Sequence, residues 1–310
     1  MTALLAAELR RIASRRLVRL TAALALIGTL LGGAAAFAFS GSLSEAAYHQ
    51  RVAEAEARLN AQDDQIEACL QAHGVERGRE EISDEVAQQC FPSVNVGHVD
   101  DPRFQRSRLE SILRGVTGAL AVIGWALGAS LVGAEFASRS MTTMLTWEPR
   151  RGRVFVAKTV AAMFAVSVLA LATLVLVALA LWPALAAHGA PLRADDPTLW
   201  SLAGTIGRGV ALATISAGIG FAIATIGRNT AAALGAGFAY VIVLENIVGT
   251  SLEGWRRWLL LGNVIVFVSG HSDSSEIPGR SVIGAGVFLA AVAVAALAVA
   301  GGTFRRRDLA

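Results

Sequence analysis

The sequence predicts an all-α integral membrane protein with six transmembrane helices, cytoplasmic N- and C-termini, and a helical extracellular insert between helices 1 and 2. The 310-residue chain is 54% hydrophobic with a mean hydropathy of +0.54, and 16% of its residues are charged, against about 25% in soluble domains. Its basic residues also concentrate in alternate gaps between apolar segments. Because a soluble domain could not bury so much apolar side chain, the chain needs a bilayer as its solvent.

Six apolar segments are long enough to cross a hydrocarbon core, which takes about 20 residues of helix. They cover 18–39, 111–133, 156–183, 203–226, 231–250 and 281–302. The start of the first segment, Ser14–Leu20, resembles a twin-arginine export signal. However, its apolar stretch is longer than that of a typical signal peptide, and five more spans follow. We therefore expect the first helix to be retained as a span.

Basic residues are distributed unevenly between the gaps. The N-terminal segment and the gap between spans 2 and 3 each carry five, and three arginines follow span 6. The large 40–110 gap instead holds seven arginines against fourteen acidic residues. Short basic loops stay in the cytoplasm. The 134–155 loop and the 303–310 tail are therefore predicted inside, and the 40–110 and 251–280 segments outside.

The first 17 residues place Leu5, Leu9 and Ile12 at helical spacing, with arginines around them. This pattern is typical of a short amphipathic helix on the cytoplasmic membrane surface, which would form an interface there. A basic flank that only fixes the orientation of span 1 is the alternative interpretation.

The 40–110 insert is predicted to be a helical hairpin. An apolar stripe runs from Tyr48 to Cys69 at intervals of three and four residues, and a second, shorter helix is expected over 79–89. The chain has two cysteines, Cys69 and Cys90, on opposite sides of the intervening turn. Because the outer compartment is oxidising, we expect a disulfide between them rather than two unrelated thiols. By the chain-entropy model, this bond would stabilise the protein by about 3 kcal/mol.

The 251–280 segment contains an apolar run, Leu259–Val268, which is too short to span the membrane. A re-entrant or interfacial half-helix is expected here, with Trp255 and Trp258 at the level of the headgroups.

No catalytic signature is present in the sequence. There is no phosphate-binding loop, since Lys158 lacks the preceding glycine, and the five histidines are scattered without metal-ligand spacing. No nucleophile has a recognisable base beside it. The sequence therefore predicts no catalytic residue, metal or cofactor in this chain. A net charge of only +3 gives no argument for nucleic acid.

The ionisable residues inside predicted spans include Arg114, Arg208 and Glu245. Charges at such depth are costly and are usually paired or face a cavity. Glu245 is therefore expected to pair with Arg208 or Arg114, or to face a translocation path. A purely structural ion pair is the alternative.

The 134–155 loop, together with the lysine that follows it, is the most informative motif. A glutamate at the membrane edge precedes a short amphipathic stretch and a turn rich in proline and arginine. A compact helix–turn of this kind suits docking into the groove of a partner, whereas the alternative is a basic loop that only anchors the topology. The candidate residues are Glu135, Met144, Leu145, Glu148, Pro149, Arg150, Arg151, Arg153 and Lys158.

This loop resembles that of the ABC-2 type permeases, the membrane subunits of one class of ATP-binding-cassette exporter. That family has a glutamate, a threonine-containing stretch, a Leu-Leu-like pair, a Pro- and Arg-rich turn and a lysine at the start of span 3. Here Met144–Leu145 stands at the place of the pair, although Ser140–Met141–Thr142 replaces the usual Gly-Thr. The C-terminal Phe304–Leu309 and the six-helix plan also fit, so the resemblance covers the chain except for the 40–110 insert.

The resemblance implies that the chain forms the translocation path for a hydrophobic or amphipathic substrate. A separate cytoplasmic ABC ATPase would bind ATP and Mg and dock on the 134–155 loop. A second permease copy or a paralogue, contact with membrane lipid and a place in the plasma membrane are implied as well. The alternative function is a non-transporting sensor or assembly scaffold that binds an extracellular partner through the hairpin.

Overall fold

The computed structural model describes residues 2–73, 90, 101–138, 140–192, 196–248, 253–271 and 277–306. A π-helix covers Tyr240–Val248, and a 3-10 helix covers Glu253–Trp258. The α-helices are α1 Thr2–Ser14, α2 Arg16–Phe39, α3 Glu45–Ala72, α4 Arg106–Ala137, α5 Ser140–Trp147, α6 Arg151–His188, α7 Leu199–Gly227, α8 Thr230–Ala239, α9 Leu260–Ser269 and α10 Val282–Arg306.

Six helices of the described chain are long and apolar enough to cross a membrane. They are α2, α4, α6, α7, α10 and the continuous segment Thr230–Ile247. The six predicted spans are therefore confirmed, and the chain is a multi-pass membrane protein. Most helices run beyond their predicted spans, and α6 extends furthest, over 151–188 instead of 156–183. Because backbone hydrogen bonding continues past the apolar stretch, hydropathy alone underestimates helix length. The side of the membrane on which each loop lies stays a prediction.

The centre of the bundle is the contact between α4 and α7. Gly124 and Gly128 of α4 lie directly against the backbone carbonyls of Ala213 and Ala217 of α7, so that a Cβ at either glycine would collide with them. Small residues let membrane helices approach closely, which replaces the hydrophobic driving force that is missing in lipid. This contact joins the helix that carries Glu110 and Glu135 to the helix that carries Thr205 and Arg208.

The insert begins with α3, which is held at its base by Arg103. The guanidinium of this buried arginine donates to both carboxylate oxygens of Asp101 at 2.9 Å and to Oε2 of Glu45 at 2.8 Å, and it lies 4.4 Å from the ring centroid of Tyr48. The hydrogen bonds from Arg103 lower the pKa of Asp101 below its usual value. The start of α3 is therefore tied to the segment that leads into α4.

The predicted disulfide between Cys69 and Cys90 is confirmed, with the two Cα atoms 5.6 Å apart. It packs against Ile66 and Leu70 near the end of α3. The second helix predicted for the hairpin, over 79–89, lies outside the described residues.

The apolar run of the 251–280 segment forms the short helix α9, which packs against α10 and α7. Trp255 and Trp258 of the preceding 3-10 turn are both exposed. The position of α9 relative to the bilayer stays a prediction.

Candidate coupling site

A buried ionic cluster joins α1, the end of α4 and the start of α6. Lys158 Nζ lies 2.6 Å from Oε2 of Glu135 and 2.9 Å from Oε1 of Glu8, and these three side chains are only 4–6% exposed. The other oxygen of Glu135 lies 2.8 Å from Arg15 Nη2. Glu135 thus bridges a cation from α6 and one from the start of α2, and Lys158 links it to α1.

Each buried charge of this cluster has an oppositely charged partner at close range. Two buried carboxylates, Glu8 and Glu135, are paired with one buried ammonium and the partly buried guanidinium of Arg15. Removing an ion from water costs several kcal/mol, which mutual attraction repays only when each charge is paired at close range. Loss of one member would leave its partners buried without compensation, and we therefore regard the cluster as a rigid joint between three helices.

The sequence of α1 explains how Glu8 enters the protein interior. Glu8 and Ile12 are one helical turn apart and share the face that Leu5 and Leu9 flank. Ile12 is buried among residues of α4, α6 and α7, with Leu5 and Leu9 packed around it, while Arg10 points outward. Helix α1 therefore packs on the bundle, and a plain basic flank does not account for this burial.

The next helix, α5, follows α4 closely and is tied to the same cluster. Arg11 of α1 donates to the hydroxyl of Ser140 at 3.3 Å and lies 3.5 Å from Oε1 of Glu135. Met141 is buried in the apolar cluster that surrounds Ile12. Helix α5 is thus anchored at its N-terminal end, whereas Trp147 at its other end is 88% exposed.

The predicted coupling residues differ in burial. Glu135 and Lys158 are buried partners. Met144 and Glu148 are partly buried, and the side chain of Leu145 lies outside the described part. The remaining predicted residues lie in the turn between α5 and α6 and in the first turn of α6. Of these, Pro149, Arg150 and Arg153 are exposed, and Arg151 is half-buried.

The charged residues predicted within the membrane form other contacts than those expected. Oε1 of Glu245 accepts a hydrogen bond from the backbone N–H of Leu261 at 2.7 Å, and the hydroxyl oxygen of Tyr240 accepts one from Leu260 at 2.9 Å. The expected pairing of Glu245 with Arg208 or Arg114 is therefore wrong. The first N–H groups of a helix lack intrahelical partners and attract negative charge. At the start of α9, Tyr240 and Glu245 each accept a hydrogen bond from one of these N–H groups, and Glu245 also supplies a carboxylate.

The two arginines lie instead near Glu110. Arg114 donates to Oε1 of Glu110 at 2.8 Å, Thr205 reaches the same oxygen at 3.1 Å, and Arg208 donates to the Thr205 hydroxyl at 2.9 Å. The guanidinium of Arg208 also packs against Gly270, the left-handed residue that ends α9. A cation at a helix C-terminus complements its dipole. Helix α9 is thus held at both ends by polar residues of the spans.

Sequence reasoning missed Glu8, Arg11, Arg15 and Trp147. The available signal for Glu8 was a carboxylate between the apolar residues of an amphipathic stripe, in a segment that otherwise carries only positive charge. Trp147 lies two residues before the proline of the turn and was visible as a large aromatic residue in the loop predicted to be cytoplasmic.

Together, the six spans and the buried ionic cluster define a helical membrane protein in which α5 is bound to the same cluster as α1, α4 and α6. The chain matches the family model of the ABC-2 family transporter proteins over residues 3–309, and it belongs to this family. The resemblance of the 134–155 loop is thereby confirmed at the level of the family. No match was found among curated proteins or solved structures.

Proposed function

We propose that this chain is the permease subunit of an ABC-2 type exporter and forms the translocation path for a hydrophobic or amphipathic substrate. Family membership supports a transporter. The observation that carries the coupling role is the buried Lys158–Glu135 contact directly beneath α5. In this proposal the chain itself does no bond chemistry and holds no cofactor, while ATP and Mg bind to a separate cytoplasmic ATPase.

The ionic cluster would transmit motion from the ATPase to the spans. An ATPase that engages the exposed end of α5 would displace α5 together with Glu135, because Met141 and Ser140 fix α5 to the cluster. Since α1, α4 and α6 share the buried charges, they would move as one body. Helices α4 and α6 contain 32 and 38 residues, so they are about 48 and about 57 Å long and would carry a displacement across the whole bilayer.

The proposed assembly contains two ATPases and two permeases, the second being another copy or a paralogue, in the plasma membrane and in contact with lipid. Its inner face holds α1, α5 and the Pro-Arg turn, and its outer face holds α3. The alternative function, a sensor or scaffold that binds an extracellular partner through the 40–110 insert, is supported by the firm attachment of α3 through Arg103.

A site-specific photo-crosslinker distinguishes these functions. It replaces Trp147 at the end of α5 or, as the matched control, Trp200 near the start of α7, which is exposed to the same degree. We expect the Trp147 probe to crosslink to a copurified ATPase and the Trp200 probe to give no such product. Purification of the chain with no associated ATPase, or equal crosslinking from both positions, would contradict the exporter proposal.

A further inference from the structure

Four arginines surround an open cavity of about 410 Å³ at the start of α6. Arg150, Arg151 and Arg153 come from the turn and the first residues of α6, and Arg305 comes from the last turn of α10. Gly152 and Val156 also line the cavity, and none of its described lining residues carries a carboxylate. Positive charge from two helices therefore converges on one cavity, separate from the buried ionic cluster.

The glycine in this cavity brings the two helices together. A Cβ at Gly152 would lie 3.1 Å from both Nε and Nη2 of Arg305, so the Arg305 guanidinium packs directly on the first turn of α6. The N-cap position of α6 has no side-chain hydrogen bond. The positive end of the helix dipole thus adds to the field of the arginines.

The cavity lies where the span meets its polar flank. Val156 is an exposed apolar residue at the first turns of α6, and further exposed apolar side chains follow it along the span. Arg150, Arg153 and Arg305 are exposed as well, beyond the apolar surface. Phospholipid phosphates occupy this boundary between hydrocarbon and water.

We propose that this cavity binds the phosphate group of an anionic phospholipid, with Arg305 and Arg153 as its principal ligands. Guanidinium groups present planar pairs of donors that match phosphate oxygens, and clustered basic residues beside a span attract anionic lipid. A lipid bound in this way would bridge α6 and α10 next to the coupling turn. The inference rests on the cavity alone and does not require the proposed exporter function.

The test uses the purified full chain in detergent and a fluorescent acyl-labelled phosphatidylglycerol, with labelled phosphatidylcholine as the comparison and inorganic phosphate as a competitor. The decisive variant is Arg305→Gln, and its matched control is Arg306→Gln, an exposed neighbour of equal charge that does not line the cavity. We expect Arg305→Gln to weaken phosphatidylglycerol binding about tenfold. Arg306→Gln should change it less than about twofold, and added salt should weaken binding.

Three results would overturn the proposal. Equal weakening by Arg305→Gln and Arg306→Gln would show that only net charge matters. Equal affinity for phosphatidylcholine would show that the cavity does not select an anionic headgroup. Displacement of the lipid by millimolar phosphate, with the same sensitivity to Arg305→Gln, would assign the cavity to free phosphate. Arg153→Gln provides a second variant with the same expected loss, should Arg305→Gln fail to insert.

Discussion

Lys158 Nζ lies 2.6 Å from Oε2 of Glu135, and this contact joins the end of the second span to the beginning of the third inside the protein. Glu8 of α1 completes the pair from the other side at 2.9 Å. The segment that the sequence marks as the ATPase docking loop therefore lies between two helices that are fixed to each other. In the proposed function, movement of this segment would therefore also move the spans.

Replacing Lys158 with Met should destabilise the protein by about 3–5 kcal/mol, because Glu8 and Glu135 would remain buried without their shared cation. Arg10→Gln, which removes an exposed cation from α1, is the control and should change stability by less than about 0.5 kcal/mol. Thermal unfolding of the purified chain in detergent measures both variants. A wild-type midpoint for Lys158→Met would mean that the cluster contributes no net stability.

The attachment of α3 should resist moderate acid. Arg103 lowers the pKa of Asp101, so the carboxylate stabilises the folded state at every pH above its unfolded value of about 3.9. This contribution is lost only as the pH falls through the lower folded value. Proteolysis of α3 should therefore stay slow at pH 5 and accelerate only below about pH 4.

Asp101→Asn should make α3 susceptible to proteolysis already at neutral pH, since it removes the charge that Arg103 binds. Glu67→Gln, which alters an exposed carboxylate on α3 itself, serves as the control and should behave as the wild type. Release of wild-type α3 between pH 7 and 5 would contradict the account of this ion pair.

Glu245 should act through α9. Glu245→Gln keeps an acceptor for the Leu261 N–H but loses the charge, and Glu245→Ala loses both, so amide exchange at Leu261 should be slowest in the wild type and fastest in the alanine variant. The alanine variant should lose about 0.5–2 kcal/mol of local protection, as for other lost helix caps. Loss of transport in Glu245→Gln with unchanged exchange at Leu261 would instead place Glu245 on the translocation path.

The close contact between α4 and α7 should tolerate no added side chain. Gly128→Ala would drive a Cβ into the carbonyl of Ala217, whereas Gly118→Ala on the same helix meets no atom within 4 Å. We expect the first variant to lower the yield of folded protein severalfold and the second to leave it unchanged. Size-exclusion profiles in detergent measure this difference, and equal yields would disprove the tight packing.

The spans and the disulfide could be predicted because they depend on local composition. Twenty apolar residues require a helix in lipid wherever they occur, and Cys69 and Cys90 are the two cysteines of the chain, both in the 40–110 gap. The family could be predicted because the order of Glu135, the Pro-Arg turn and Lys158 is itself a pattern along the chain.

The partners of the buried charges could not be predicted in the same way. Glu8 and Lys158 are separated by 150 residues, and no local periodicity relates them. The partner of Glu245 is a backbone N–H, which every residue except proline carries, so the sequence gives no sign of it. The rule that unlike charges pair favoured an arginine as the partner of Glu245. The positive N-terminal end of the short helix α9 is the electrostatic partner instead.

The most direct test of coupling uses the complex with its ATPase and an environment-sensitive fluorophore on cysteine at position 200 (Trp200→Cys), on α7, which packs against α4. Addition of ATP and Mg should change the fluorescence in the otherwise wild-type complex and in Arg10→Gln. In Lys158→Met the change should be lost although ATP is still hydrolysed. A Lys158→Met complex that responds as the wild type would show that motion reaches the spans without the buried cluster.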